Sequence, residues 1–165
     1  AFQTEEVPMS TNQINNVESQ THAALPFVNR QKFLIVEDDF TLQPFWEHVI
    51  QEVSPNALIR WATTEEGAEK LIRDRHRIND RFDVVITDVL LAGEKTGVDL
   101  WKRYGSPETV FLFTSGLSVR RFNGLMGQDD SEEAILIRKP LNPIQCVESL
   151  KAVLAYHSFF PKNEA

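Results

Sequence analysis

Cysteine is nearly absent: Cys146 stands alone, so no intrachain disulfide can form and a thiolate metal cluster is excluded. Long apolar runs are missing as well. No stretch approaches the ~18 residues of a membrane-spanning helix, and no charged-then-apolar leader opens the chain. Positive charge is in deficit, with 17 Lys and Arg against 24 Asp and Glu, a formal net charge of −7 and a pI near 5.1. That balance argues against nonspecific affinity for nucleic acid or an anionic membrane and leaves a basic protein partner open. His22, His48, His76 and His157 are scattered without ligand spacing, and no internal repeat is present. These absences point to a cytoplasmic protein. The 165 residues, 42% hydrophobic and 25% charged, suffice for one domain with a full core.

Residues 1–30 differ from the rest. They are rich in Gln, Asn, Thr, Ser and Glu, with Pro8 and Pro26 as breakers, and read as a polar extension or linker. The small apolar cluster Ala23, Ala24, Leu25, Phe27 and Val28 offers this arm a way to dock on the domain or on a neighbour. Short apolar runs then alternate with helical patterns. Strands are expected at 32–36, 57–62, 83–87, 109–113 and 134–138. The first helix is expected at 42–53, with Phe45, Val49, Ile50 and Val53 on one face and Pro44 in the first turn. The second opens at Thr63 with Glu66 as capping box and Ala68, Leu71 and Ile72 facing the core. The charged run from Arg73 to Arg77 reads as its solvated end. A third helix starts near Gly97 and a fourth lies within 117–126. The fifth begins at Asn142 as N-cap, with Pro143 first in the helix and Gln145 completing the cap. Its buried stripe is expected to be Ile144, Val147, Leu150 and Leu154. Five successive strand–helix units predict an α/β domain with a parallel sheet covered on both faces.

The chemistry-bearing residues sit at the ends of the apolar runs. Glu37 and Asp38 follow the first, Asp88 ends the third, Thr114 the fourth, and Lys139, before Pro140, the fifth. In open α/β sheets the ligand site lies outside the carboxyl ends of the strands. Three acids, a hydroxyl and an amine are therefore expected to converge there. Adjacent acids repel, and a hard divalent cation such as Mg²⁺ relieves that repulsion through oxygen ligands. Asp88 is the candidate nucleophile: a carboxylate can form an acyl phosphate when cations neutralise the incoming phosphoryl oxygens. Asp39, the third consecutive acid, is expected to turn away into solvent.

This spaced set resembles the receiver domain of two-component response regulators over residues 31–159, with 160–165 as a short tail. The resemblance implies a flavodoxin-like doubly wound sheet of five parallel strands in the order 2-1-3-4-5. It implies Asp88 as phosphoacceptor, with Thr114 and Lys139 contacting the phosphoryl group. It implies Mg²⁺ held by Asp38, Asp88 and the carbonyl of Leu90, with Glu37 acting mainly through water. A cis bond between Lys139 and Pro140 is implied too. The partner would be a histidine kinase or histidine phosphotransfer protein, and the domain would catalyse only its own phosphorylation and dephosphorylation. A homodimer through the fourth helix, fifth strand and fifth helix, or through the N-terminal arm, is a further expectation. No direct contact with nucleic acid or membrane is expected.

The sequence also departs from the family pattern. Leu136 stands where most members carry an aromatic residue, Ala92 replaces a common proline, and Gly97 falls one residue late. Leu136 and the long N-terminal arm favour a rival reading, a receiver-like module that docks a partner without phosphorylation, which the intact five-residue set opposes. A dehalogenase-like phosphatase needs an acid two residues after its nucleophile, and Leu90 stands there. Too few residues follow the fifth helix for a DNA-binding output unit, so the chain reads as a stand-alone receiver or a fragment of a larger protein.

Overall fold

The computed structural model describes residues 30–91, 93, 95–127 and 134–158, the side chains of residues 157 and 158 excepted. The expectations for the N-terminal arm, for Ala92 and for residues 159–165 lie outside the described residues. The strands are β1 (Lys32–Val36), β2 (Leu58–Ala62), β3 (Val84–Asp88), β4 (Val110–Ser115) and β5 (Ile135–Arg138). The helices are α1 (Gln43–Val53), α2 (Glu65–Arg77), α3 (Gly97–Tyr104), α4 (Val119–Met126) and α5 (Pro143–Ser158), with a short 3₁₀ turn at Phe40–Leu42. All strand pairs are parallel, and the order is β2-β1-β3-β4-β5, as expected.

The sheet is buried on both faces, which is why its central strands read as unbroken apolar runs instead of alternating. Alternate residues nevertheless go to different cores. Phe33, Ile35, Val84, Ile86, Leu112 and Ile137 pack under α1 and α5. Leu34, Val36, Val85, Phe111 and Phe113 pack under α2, α3 and α4.

Several local expectations need correction. The second helix is capped by Thr64, not Thr63: Thr64 is extended, and its hydroxyl accepts from the N–H of Gly67 at 3.1 Å. The residue three after the cap is then Gly67, which has no side chain to return the bond, so the Thr63–Glu66 capping box does not form. In α1, Trp46 is fully buried with Val49 and Ile50, whereas Phe45 and Val53 are only partly buried. In α5 the buried residues are Cys146, Leu150 and Val153, and Ile144 is 71% exposed. Asn142 caps this helix as expected, accepting from the N–H groups of Ile144 and Gln145. Ile144 therefore lies in the capped first turn, before the helix settles on the sheet. Within the charged run ending α2, Arg75 is not merely solvated: it pairs with Asp80 and lies over the Phe82 ring at 4.9 Å. β3 and β4 run one and two residues further than expected, so Asp88 and Thr114 are strand residues.

Candidate functional site

Register brings the site together. Val36 pairs with Thr87, Asp88 with Thr114, and Thr114 with Ile137. Glu37 follows Val36 and so aligns with Asp88. Lys139 follows β5 by one residue, and its N–H donates to the carbonyl of Ser115 at 2.9 Å. Adjacent strands lie about 4.8 Å apart, so these side chains fall within reach of one another.

The Lys139 ammonium donates to Asp88 Oδ2 at 2.6 Å and to Glu37 Oε2 at 2.8 Å. The expected cis bond to Pro140 follows it. The N–H of Leu90 donates to Asp88 Oδ1 at 3.1 Å, so both oxygens of the Asp88 carboxylate are oriented. Glu37 Oε1 accepts from the N–H of Asp39 at 3.2 Å. Burial pushes the Glu37 carboxyl above its ordinary range, only partly offset by its hydrogen bonds from Lys139 and Asp39 and by the Lys139 charge, while the Asp88 charge pushes the same way as burial. For Lys139, burial is the largest single influence and works against the charged form. Its hydrogen bonds to Asp88 and Glu37 and their charges together outweigh burial, and the ammonium is held above its usual value.

Carboxylate oxygens of Glu37, Asp38 and Asp88 lie within 4.8 Å of one another, Asp38 exposed and the other two buried. This cluster of hard oxygen donors on the open end of the sheet fits a small divalent cation. Asp39 turns outward, as expected, and its carboxylate accepts from the Thr41 N–H and hydroxyl, capping the 3₁₀ turn. Thr114 is buried beside Asp88, whereas the neighbouring Ser115 hydroxyl is engaged by the N–H of Leu117. Of the two hydroxyls, only that of Thr114 belongs to Asp88's row. The Leu90 side chain is 53% exposed at the rim.

Two features of the surroundings escaped the sequence reading, which took Gly97 only as the start of the third helix and passed over Glu65. Gly97 opens α3 against the site: a Cβ there would meet the Asp88 carbonyl oxygen at 2.2 Å and the Thr87 hydroxyl at 2.5 Å. Glu65, in the first turn of α2, is almost fully buried and forms ion pairs with Arg103 at 3.3 Å and Lys95 at 3.6 Å. An acid in a first helical turn reads as a macrodipole partner, and nothing in the sequence marks it as buried. Among the described residues, no helix is long and apolar enough to cross a membrane.

No family model and no curated protein matches the chain. Solved structures do. The chain is similar to the signal receiver domain of an HD domain-containing protein from Pseudomonas fluorescens Pf-5, with a TM-score of 0.68 and 15% identity over 86% of this chain and 98% of that one. A response regulator receiver protein from Sinorhizobium medicae WSM419 gives a TM-score of 0.63 and 16% identity over 78% of this chain and 98% of that one. A two-component response regulator from Clostridium difficile gives 0.60 and 18% over 76% and 97%. The chain thus has the fold of a response-regulator receiver domain, and the resemblance seen in the sequence holds at the level of the fold.

Proposed function

We propose that the protein is a phosphoacceptor receiver that takes a phosphoryl group onto Asp88 from phosphohistidine, in the presence of Mg²⁺. The observation that carries this reading is the Asp88 carboxylate, oriented by Lys139 and the Leu90 N–H beside the Glu37–Asp38 pair. Asp38 and Asp88, with the Leu90 carbonyl, would hold the cation, and Glu37 would act through water. When bound, Mg²⁺ neutralises charge on the phosphoryl oxygens. The Asp88 oxygen attacks phosphorus as the P–N bond of phosphohistidine breaks, and the new C–O–P linkage is an acyl phosphate. Lys139, already hydrogen-bonded to Asp88, passes to a phosphoryl oxygen as a compact point charge. Thr114 offers its hydroxyl to another. The domain's chemistry stops at its own phosphorylation and hydrolysis.

The donor partner is a histidine kinase or a histidine phosphotransfer protein in the cytoplasm. The output is an altered surface of α4, β5 and α5, which exposes Val119, Leu125 and Tyr156 and suits a homodimer or a protein target. Leu136 favours a second reading, docking without phosphorylation. One experiment separates the two. Treatment with phosphoramidate or acetyl phosphate and Mg²⁺ should add one phosphoryl mass to the intact chain, and Asp88→Asn should abolish the gain. Equal labelling of Asp88→Asn would remove the assignment.

A further inference from the structure

Resting on that reading, we infer that Glu65 is a positioning residue. Its buried carboxylate tethers the β3–α3 connection, and through it the backbone next to Asp88, to the start of α2. Both carboxylate oxygens are buried without a hydrogen-bond partner among the described residues. A buried carboxylate is tolerated when cations face it, and both cations here come from beyond β3. Lys95 lies in the connection itself, and Arg103 lies on α3, where it also pairs with Glu69 at 3.0 Å. The Glu65 charge is compensated only while the connection and α3 stay docked on α2.

The connection is held at both ends. At the site end, the Val89 N–H donates to the Thr114 carbonyl at 3.0 Å and the Leu90 N–H to Asp88. At the other end, Lys95 reaches Glu65, and the next residue, Thr96, forms a capping box with Asp99. Between these anchors the Gly97 N–H donates to the Val89 carbonyl at 3.0 Å, so displacement of one end is transmitted to the other. An apolar side chain at position 65 would fill the same space without burying a charge, and such replacements are often neutral or stabilising. Global stability is therefore not what the charge supplies. It fixes where the connection sits.

Amide hydrogen exchange on the metal-free protein tests this directly. In Glu65→Met, exchange at Val89, Leu90 and Gly97 should quicken roughly fivefold, the loss of ion pairs whose cations, Lys95 and Arg103, are half-exposed. The core amides of Ile86 and Leu112 should keep their wild-type rates. Lys95→Met, a change at a half-exposed side chain that leaves the fold intact, should give the same local pattern. The double variant should add little to either single one. Magnesium titration by calorimetry should then show severalfold weaker binding in each variant. Unchanged exchange at the three amides, or a uniform rise through the sheet, would overturn the tether. A wild-type protein that binds no Mg²⁺ and takes no phosphoryl group would instead overturn the phosphoacceptor reading, and the exchange rates would still decide the role of Glu65.

Discussion

Gly97→Ala is the sharpest probe of how the site is built. A methyl group there would stand 2.2 Å from the Asp88 carbonyl oxygen, 2.5 Å from the Thr87 hydroxyl oxygen and 3.0 Å from its methyl group. Two of these three neighbours belong to Thr87, which is fully buried in the central strand, and the third is strand backbone. None is a flexible side-chain end that can swing away, so α3 must back off by on the order of 1 Å to restore van der Waals contact. Overpacking of this kind costs about 1–3 kcal/mol. For a chain of this size that lowers the melting temperature by roughly 2–12 °C. The same movement stretches the Gly97–Val89 hydrogen bond and shifts the backbone beside Asp88. Misplacement by about 1 Å can slow a reaction on the order of 100-fold. The assay is the initial rate of mass gain with acetyl phosphate and saturating Mg²⁺, with thermal unfolding in parallel. Gly124→Ala is the control: a Cβ there meets nothing within 4 Å in α4, so it should raise stability by about 0.5–1 kcal/mol and leave labelling unchanged. Gly97→Ala with wild-type melting temperature and labelling rate would refute the close approach of α3 to the site.

Asp38→Ala should weaken Mg²⁺ binding far more than Asp39→Ala in a calorimetric titration, because Asp39 is committed to capping the turn at Thr41. Greater damage from Asp39→Ala would mean that the wrong acid has been assigned. Self-dephosphorylation should be slow, since neither Leu90 nor Gly116 offers a polar side chain to guide water. Leu90→Asn combined with Gly116→Glu should speed the loss of phosphorylated chain after donor removal, and a fast wild-type loss unaltered by the double change would count against that role. The Asp99 carboxyl is held below its ordinary range, first by the Thr96 N–H and then by the Thr96 hydroxyl. Its contribution to stability is thus present above about pH 4, where an unfolded Asp titrates, and is lost as pH falls through the depressed folded value. Asp99→Ala, which removes the N3 carboxylate of the α3 capping box, should cost about 0.3–1 kcal/mol near neutrality, and urea midpoints of variant and wild type should converge in acid.

The central strands were legible because both faces of a parallel sheet are buried there, so each appears as a short apolar run bounded by polar residues. The residues at their ends were legible for the same reason. Helical faces were read less well. Ile144 fits the apolar spacing of α5, yet it sits in the capped first turn, clear of the sheet, and is 71% exposed. Cys146 supplies the buried contact instead. Trp46 was passed over beside Phe45, since one residue of rotation along a helix decides which ring reaches the core. Thr63, with Glu66 three residues on, was the cap that the sequence offered, yet Thr64 is the extended residue whose hydroxyl accepts from Gly67. Glu65 carried no signal at all, and Gly97 was legible only as the start of α3, not as a close neighbour of Asp88. Their importance comes from α2 and α3 lying against the end of β3, a tertiary fact that local pattern does not contain.

The convergence of the site follows from parity as well as from strand order. On β1, residues 33 and 35 face α1 and α5, and Glu37 is the next step of that row. On β3 the row runs 84, 86 and then Asp88. On β4 Leu112 is followed by Thr114. On β5 the row runs 135, 137 and then Lys139. Glu37, Asp88, Thr114 and Lys139 are each the polar continuation of an apolar row that anchors the same face of the sheet. Side chains in a strand alternate with a period of two, so a one-residue slip would move a whole row to the other face. It would drive Phe33 and Ile35 out of their core at the same time as it withdrew Glu37 from Lys139. The apolar packing under α1 and α5 therefore fixes the register, and the register fixes the distances from Lys139 to Asp88 and Glu37. In this chain the core and the site are one set of rows, apolar where helices cover the sheet and polar where the sheet ends.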